Sequence, residues 1–187
     1  LKLRGAAKMD IERRAVTEIR TAGRTLYGVA APFDRPADIG GMFTETIARG
    51  AFTATLAKHS DILALANHRQ DQLLGRTRSG TLRLSETAAG LEYSLELPAT
   101  SVGDDVLALA QRGDLGGMSI GFVADSETWS DMNSRQPSRT LRAVSLHEVS
   151  VISGHPAYDG TSIALRARAR QHVDPRLAAL QALVRRL

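Results

Sequence analysis

Short apolar runs of strand length recur along the chain, and few segments space their apolar residues as a helix does. Met9–Arg20 mixes charges with Ile11, Val16 and Ile19 and predicts a strand, with a helix as the alternative. Thr25–Ala31 is rich in β-favouring residues and stops at Pro32. Asp34–Glu45, with Pro36 and Gly40-Gly41, predicts a loop, and Ile47–Lys58 a helix weakened by Gly50. Ile62–Asn67 predicts a short strand ending at His68. Thr81–Ser85 and Leu91–Leu97 alternate on either side of Glu86–Gly90, which predicts a hairpin.

Ser101–Arg112 carries the signals of a helix. Ser101 can cap it, Asp104 and Asp105 suit the positive end of its dipole, and Gly113 follows its end. Met118–Ala124 predicts a strand, the polar stretch Asp125–Ser138 an exposed or disordered loop, and Thr140–Ser153 a long strand. In the tail, Arg166–Arg170 alternates Arg with Ala as a linker. Asp174-Pro175 then starts a basic amphipathic helix with Leu177, Leu180, Leu183, Val184 and Leu187 on one stripe. The pattern is mostly β, with two or three helices and no βαβ alternation, so a barrel or sandwich with helices outside is expected. The expected division is a domain over 1–165 and a tail over 166–187.

Composition narrows the chemistry. The 187 residues contain no Cys, which removes disulfides, thiolate catalysis and Cys-ligated metals. No apolar run reaches the roughly 18 residues of a membrane-spanning helix. Leu1–Glu18 is charged throughout, unlike a secretory signal, and a chain starting on Leu is expected to be trimmed or truncated. The net charge of +4 rests almost wholly on Arg, with Lys only at Lys2, Lys8 and Lys58. These cations are scattered and aromatics make up 4% of residues, so stacking platforms for single-stranded nucleic acid are scarce.

Without Cys, serine is the leading candidate nucleophile. Gly117-Met118-Ser119-Ile120-Gly121 fits G-x-S-x-G, but a nucleophile elbow needs a strand before the serine and a helix after it, and here the order is reversed. On a strand, Met118, Ile120 and Phe122 point into a core while Ser119 and Gly121 share the opposite, accessible face. A serine on an exposed strand face is also an ordinary surface residue. Among the five histidines, His68 stands out because Asn67-His68-Arg69 is a polar knot ending an apolar run. Glu148 interrupts an apolar strand, where a carboxylate is costly without a partner. It either pairs with one of the many arginines, faces water on an edge strand, or orients and charges a histidine. His59, His68, His147 and His155 lack metal-ligand spacing, and no phosphate-binding glycine motif follows a strand, so neither metal nor cofactor is expected.

Five blocks in order resemble one family. They are Leu26–Ala30 with Phe33, Glu45, Arg49–Phe52 and Leu56; Asn67–Arg69 with Leu74–Thr77; Gly90-Leu91 with Leu97–Thr100; Gly113–Phe122; and Leu146–Val151 with Pro156–Tyr158. Together, over about Ile19–Ala164, they resemble the HK97-type phage prohead (capsid maturation) serine proteases. Gly154-His155 before Pro156 departs from the pattern. The resemblance implies a β-barrel wrapped by a few helices, related to the herpesvirus assembly proteases. It implies Ser119 as nucleophile, His68 as base and Glu148 as the acid, with the adjacent His147 as the competing third member.

It further implies an endopeptidase acting inside the procapsid in the host cytoplasm, with scaffold and capsid protein segments as substrates, and with self-cleavage. A homo-oligomer, a dimer, is expected, with no membrane or nucleic-acid partner. Gly116, Gly117 and Arg76 are the oxyanion candidates. The competing function is a non-catalytic capsid-assembly or scaffold-binding module on the same fold.

Overall fold

The computed structural model has eleven strands and two helices among the described residues 11–16, 19–58 and 60–154. His59, His155, the Pro156–Tyr158 block and the expected tail linker and helix lie outside these residues.

The strands are β1 (Glu12–Val16), β2 (Arg20–Ala22), β3 (Thr25–Pro32), β4 (Ala37–Ile39), β5 (Phe43–Ile47), β6 (Leu63–Ala66), β7 (Arg69–Arg76), β8 (Leu82–Glu86), β9 (Gly90–Glu96), β10 (Gly117–Ser130) and β11 (Ser138–Ile152). The helices are α1 (Thr53–Ala57) and α2 (Ser101–Arg112). The mostly-β class is as expected. The sheets do not close into a barrel. The larger sheet runs β1-β10-β11-β5-β4, with β6 and β7 branching from β11, and the smaller runs β2-β3-β9-β8. Closure would need the end strands β1 and β4 to pair, and they do not.

One apolar core joins the sheets. Leu26, Leu91, Tyr93 and Leu95 of the smaller sheet pack with Met118, Ile120, Phe122, Val149 and Val151 of the larger. The opposite faces of β10 and β11 carry Ser119, Gly121, Glu148 and Ser150. The long β11 is shared along its length. Its first part pairs in parallel with β5 (Ser138–Leu141 on Thr44–Ile47), and its last part with β6 (Glu148–Val151 on Leu63–Ala66). Between these stretches the segment around α1 takes over, with Val144 N–H donating to Ala51 O and Leu146 N–H to Thr55 Oγ1. This plug lets two separate strands, and the turn after β6, reach β11.

Some expectations are corrected. The loop expected over Asp34–Glu45 contains β4 and much of β5, antiparallel around Gly40-Gly41. The helix expected over Ile47–Lys58 shrinks to the five residues of α1, because Ile47 belongs to β5. The polar stretch Asp125–Ser138 extends β10 as far as Ser130 and already begins β11. In α2, Thr100 rather than Ser101 is the cap and accepts a hydrogen bond from Gly103 N–H, while Gly113 ends the helix in the left-handed region.

Candidate active site

The turn between β6 and β7 is two residues long, Asn67-His68, and both have positive φ, 51° and 61°. Two left-handed residues make the tight turn that suits the twist of paired strands; Asn tolerates this, while His adopts it at a cost. Asn67 is fastened to the end of β11 by three hydrogen bonds. Its N–H donates to Val151 O at 2.8 Å, its Nδ2 to Ser153 Oγ at 3.1 Å, and its Oδ1 accepts from Ser153 N–H at 2.9 Å. The polar knot of the sequence is thus a clamp that fixes where His68 stands.

So held, His68 places Nδ1 2.5 Å from Glu148 Oε1, across 80 residues of chain. With Nδ1–H given to the carboxylate, the lone pair of the neutral imidazole lies on Nε2, the form a general base needs. Glu148 is 7% exposed, so its charge is partnered rather than solvated. Arg13 of β1 is its second charged neighbour, with Nε 3.7 Å from Oε1.

A bulge explains the choice between neighbours. The β10–β11 register passes from Gly121↔Glu148 to Phe122↔Leu146, so His147 is the extra residue. Glu148 keeps the place opposite Gly121, and His147 Nε2 is buried without a hydrogen bond. The structure thus brings together His68 and Glu148, not His68 and His147.

Ser119 pairs with Ala15 on one side and Ser150 on the other, and shares the Gly121–Glu148 face. Its diagonal place relative to Glu148 puts their backbones about 7–8 Å apart, a gap on the scale of an imidazole. Ser119 Oγ and His68 are not hydrogen-bonded here, and such bonds are often loose before substrate binds. One expectation fails. Alternation assigned Ser119 to the right face, but that face is covered, and Ser119 is 2% exposed. Its partner Ser150 is fully buried and its Oγ has no hydrogen bond. Sequence reasoning did not single out Ser150, although strand pairing places a second hydroxyl directly across from Ser119.

Two oxyanion candidates are already engaged. Gly116 N–H donates to Ile152 O at 2.7 Å, and the Arg76 guanidinium is bound to Asp61. Asp61 is held below the usual carboxylate range by that Arg76 hydrogen bond, against a smaller opposing effect of burial. No cluster of three or more metal-ligating side chains exists among the described residues.

Set on a mostly-β fold, a histidine–carboxylate pair beside a strand serine has the parts of a serine hydrolase. The chain matches the family model of the caudovirus prohead serine proteases over residues 9–176, and it belongs to that family. No curated protein and no solved structure matches it.

Proposed function

We propose that this chain is a serine endopeptidase that cleaves scaffold and capsid protein segments within the procapsid, and itself, through Ser119, His68 and Glu148. The 2.5 Å contact between His68 Nδ1 and Glu148 Oε1, on the sheet face that carries Ser119, is the observation that supports it best. Ser119 Oγ attacks the scissile carbonyl as His68 Nε2 takes its proton, giving a tetrahedral intermediate. Its collapse to the acyl-enzyme expels the amine, which receives that proton. Water repeats the sequence and frees the acid. Glu148 holds the imidazole in the required tautomer and stabilises the imidazolium. Family membership points to capsid proteins as the substrate class.

The test is co-expression with the cognate capsid protein, followed by intact mass measurement of both chains. Wild type is expected to shorten the capsid protein and its own chain, and Ser119→Ala to leave both whole. Equal masses with the two proteases would favour the non-catalytic assembly module.

A further inference from the structure

Three residues stand in one row across three strands: Arg13 on β1, Gly121 on β10 and Glu148 on β11. Residues in a row share a face, and the outer strands of three lie about 9–10 Å apart. An ordinary side chain in the middle position would keep the outer two apart. Glycine supplies none, and Arg13 reaches to 3.7 Å from Glu148. A Cβ on residue 121 would lie 2.6 Å from Glu148 Cγ, 2.9 Å from Oε1 and 3.0 Å from Cδ. Those atoms include the stem of Glu148, not only its tip, so the side chain could not stay where it meets His68.

We infer that Gly121 and Arg13 are positioning residues for Glu148, an inference that rests on the proposed role of the His68–Glu148 pair. Gly121 is the slot in which the carboxylate lies. Arg13 closes the slot from the β1 side and attracts the carboxylate by charge. Its Nε is enclosed and has no hydrogen bond, so its position is not explained by pairing elsewhere. The alternation of β1 shows the same design. Glu12 and Arg14 point to the core face and enter a buried ion cluster, while Arg13 between them points to the site. The last glycine of the G-x-S-x-G string thus serves the acid and not the nucleophile.

The experiment measures turnover of a fluorogenic peptide, spanning a mapped capsid cleavage site, by Gly121→Ala, Glu148→Ala, their double variant, Arg13→Met and Arg13→Lys. Gly121→Ala is expected to lower kcat by about 10²-fold, as loss of the acid does, with KM within about twofold. The double variant is expected to be no slower than Glu148→Ala alone, and to melt no lower, because the new methyl enters vacated space. Arg13→Met is expected to lose roughly 3- to 10-fold in kcat, and Arg13→Lys to recover most of it. Wild-type kcat in Gly121→Ala, costs that multiply in the double variant, or a double variant that fails to fold while Glu148→Ala folds would each overturn the Gly121 assignment. An Arg13→Met enzyme at wild-type rate would overturn that of Arg13. Wild-type turnover by Glu148→Ala would instead sink the underlying triad reading, and this inference with it.

Discussion

Two polar clusters lie on opposite faces of the larger sheet and are built differently. At one, Arg139 is 2% exposed and is bound by Glu12, Glu45 and Glu127, while Arg14 bridges Glu12 and Glu45. The Arg139 guanidinium also stacks over Phe43 and Trp129. Each of these buried charges has an opposite charge beside it, as low-dielectric surroundings demand. At the other cluster, His68 stands on a left-handed backbone, a bulge re-aims β11, and Arg13 Nε and Ser150 Oγ lack hydrogen bonds. Unmet polar groups lie where chemistry is expected, and full pairing marks the cluster that only fastens β1, β5, β10 and β11 together.

Substitutions on the two faces are expected to move different observables. Ser119→Ala should cost the most activity, at least about 10⁴-fold in peptide turnover, with little change in thermal melting. Arg139→Met should do the reverse. Arg14 would still partner Glu12 and Glu45, but both buried carboxylates lose one of their two cations and the half-buried Glu127 loses its Arg139 partner, which should destabilise the fold by about 3 kcal/mol in chemical denaturation, while protein that remains folded keeps its kcat. Glu148→Gln keeps the shape but loses the charge and should lower turnover by about 10²-fold, some 2.7 kcal/mol. His147→Ala should change it far less; the opposite ranking on the same peptide would make His147 the third member.

Acid should release the ionic cluster. Burial pushes the Glu12 carboxyl up, but the hydrogen bond and charge of Arg139, with Arg14, outweigh it, and the net direction is down from the ordinary 4.5. A carboxyl lowered on folding adds stability that is present above its unfolded value and is lost as pH falls through the folded one. Stability should therefore drop below about pH 4.5 in denaturant titrations, and Glu12→Gln should flatten that drop. The smallest effect is expected at Ser150. Its hydroxyl is enclosed without a partner, so Ser150→Ala should retain turnover and gain up to about 1 kcal/mol.

The same contrast explains what could be read from the sequence. Helix α2 and the β8–β9 hairpin announce themselves through local signals: an acidic first turn, a closing Gly113, alternation, a glycine at the turn. β4 is three residues between Pro36 and Gly40-Gly41, too short to stand out although Ile39 packs on Phe43; β5 and the outer parts of β10 and β11 are obscured because part of the interior they face is ionic. Glu45, Glu127 and Arg139 point inward there, and a polar inward residue hides the alternation that marks a strand. In the sequence His68 stands out at the end of an apolar run, Ser119 within G-x-S-x-G and Glu148 as the interruption of an apolar run, and the family resemblance implies their roles. The pairing of the first with the third lay beyond composition, since it depends on the Asn67 clamp and the bulge at His147. The burial of Ser119 was missed because alternation assigns a face without saying what covers it.

Ser119, rather than the hydroxyl facing it, is the proposed nucleophile served by His68 and Glu148. The most direct measurement treats the enzyme with a peptidyl phosphonate and locates the adduct by peptide mass. The adduct is expected on Ser119 in wild type and in Ser150→Ala, and is expected to be absent in Ser119→Ala. An adduct on Ser150, or cleavage of capsid protein by Ser119→Ala, would contradict the account.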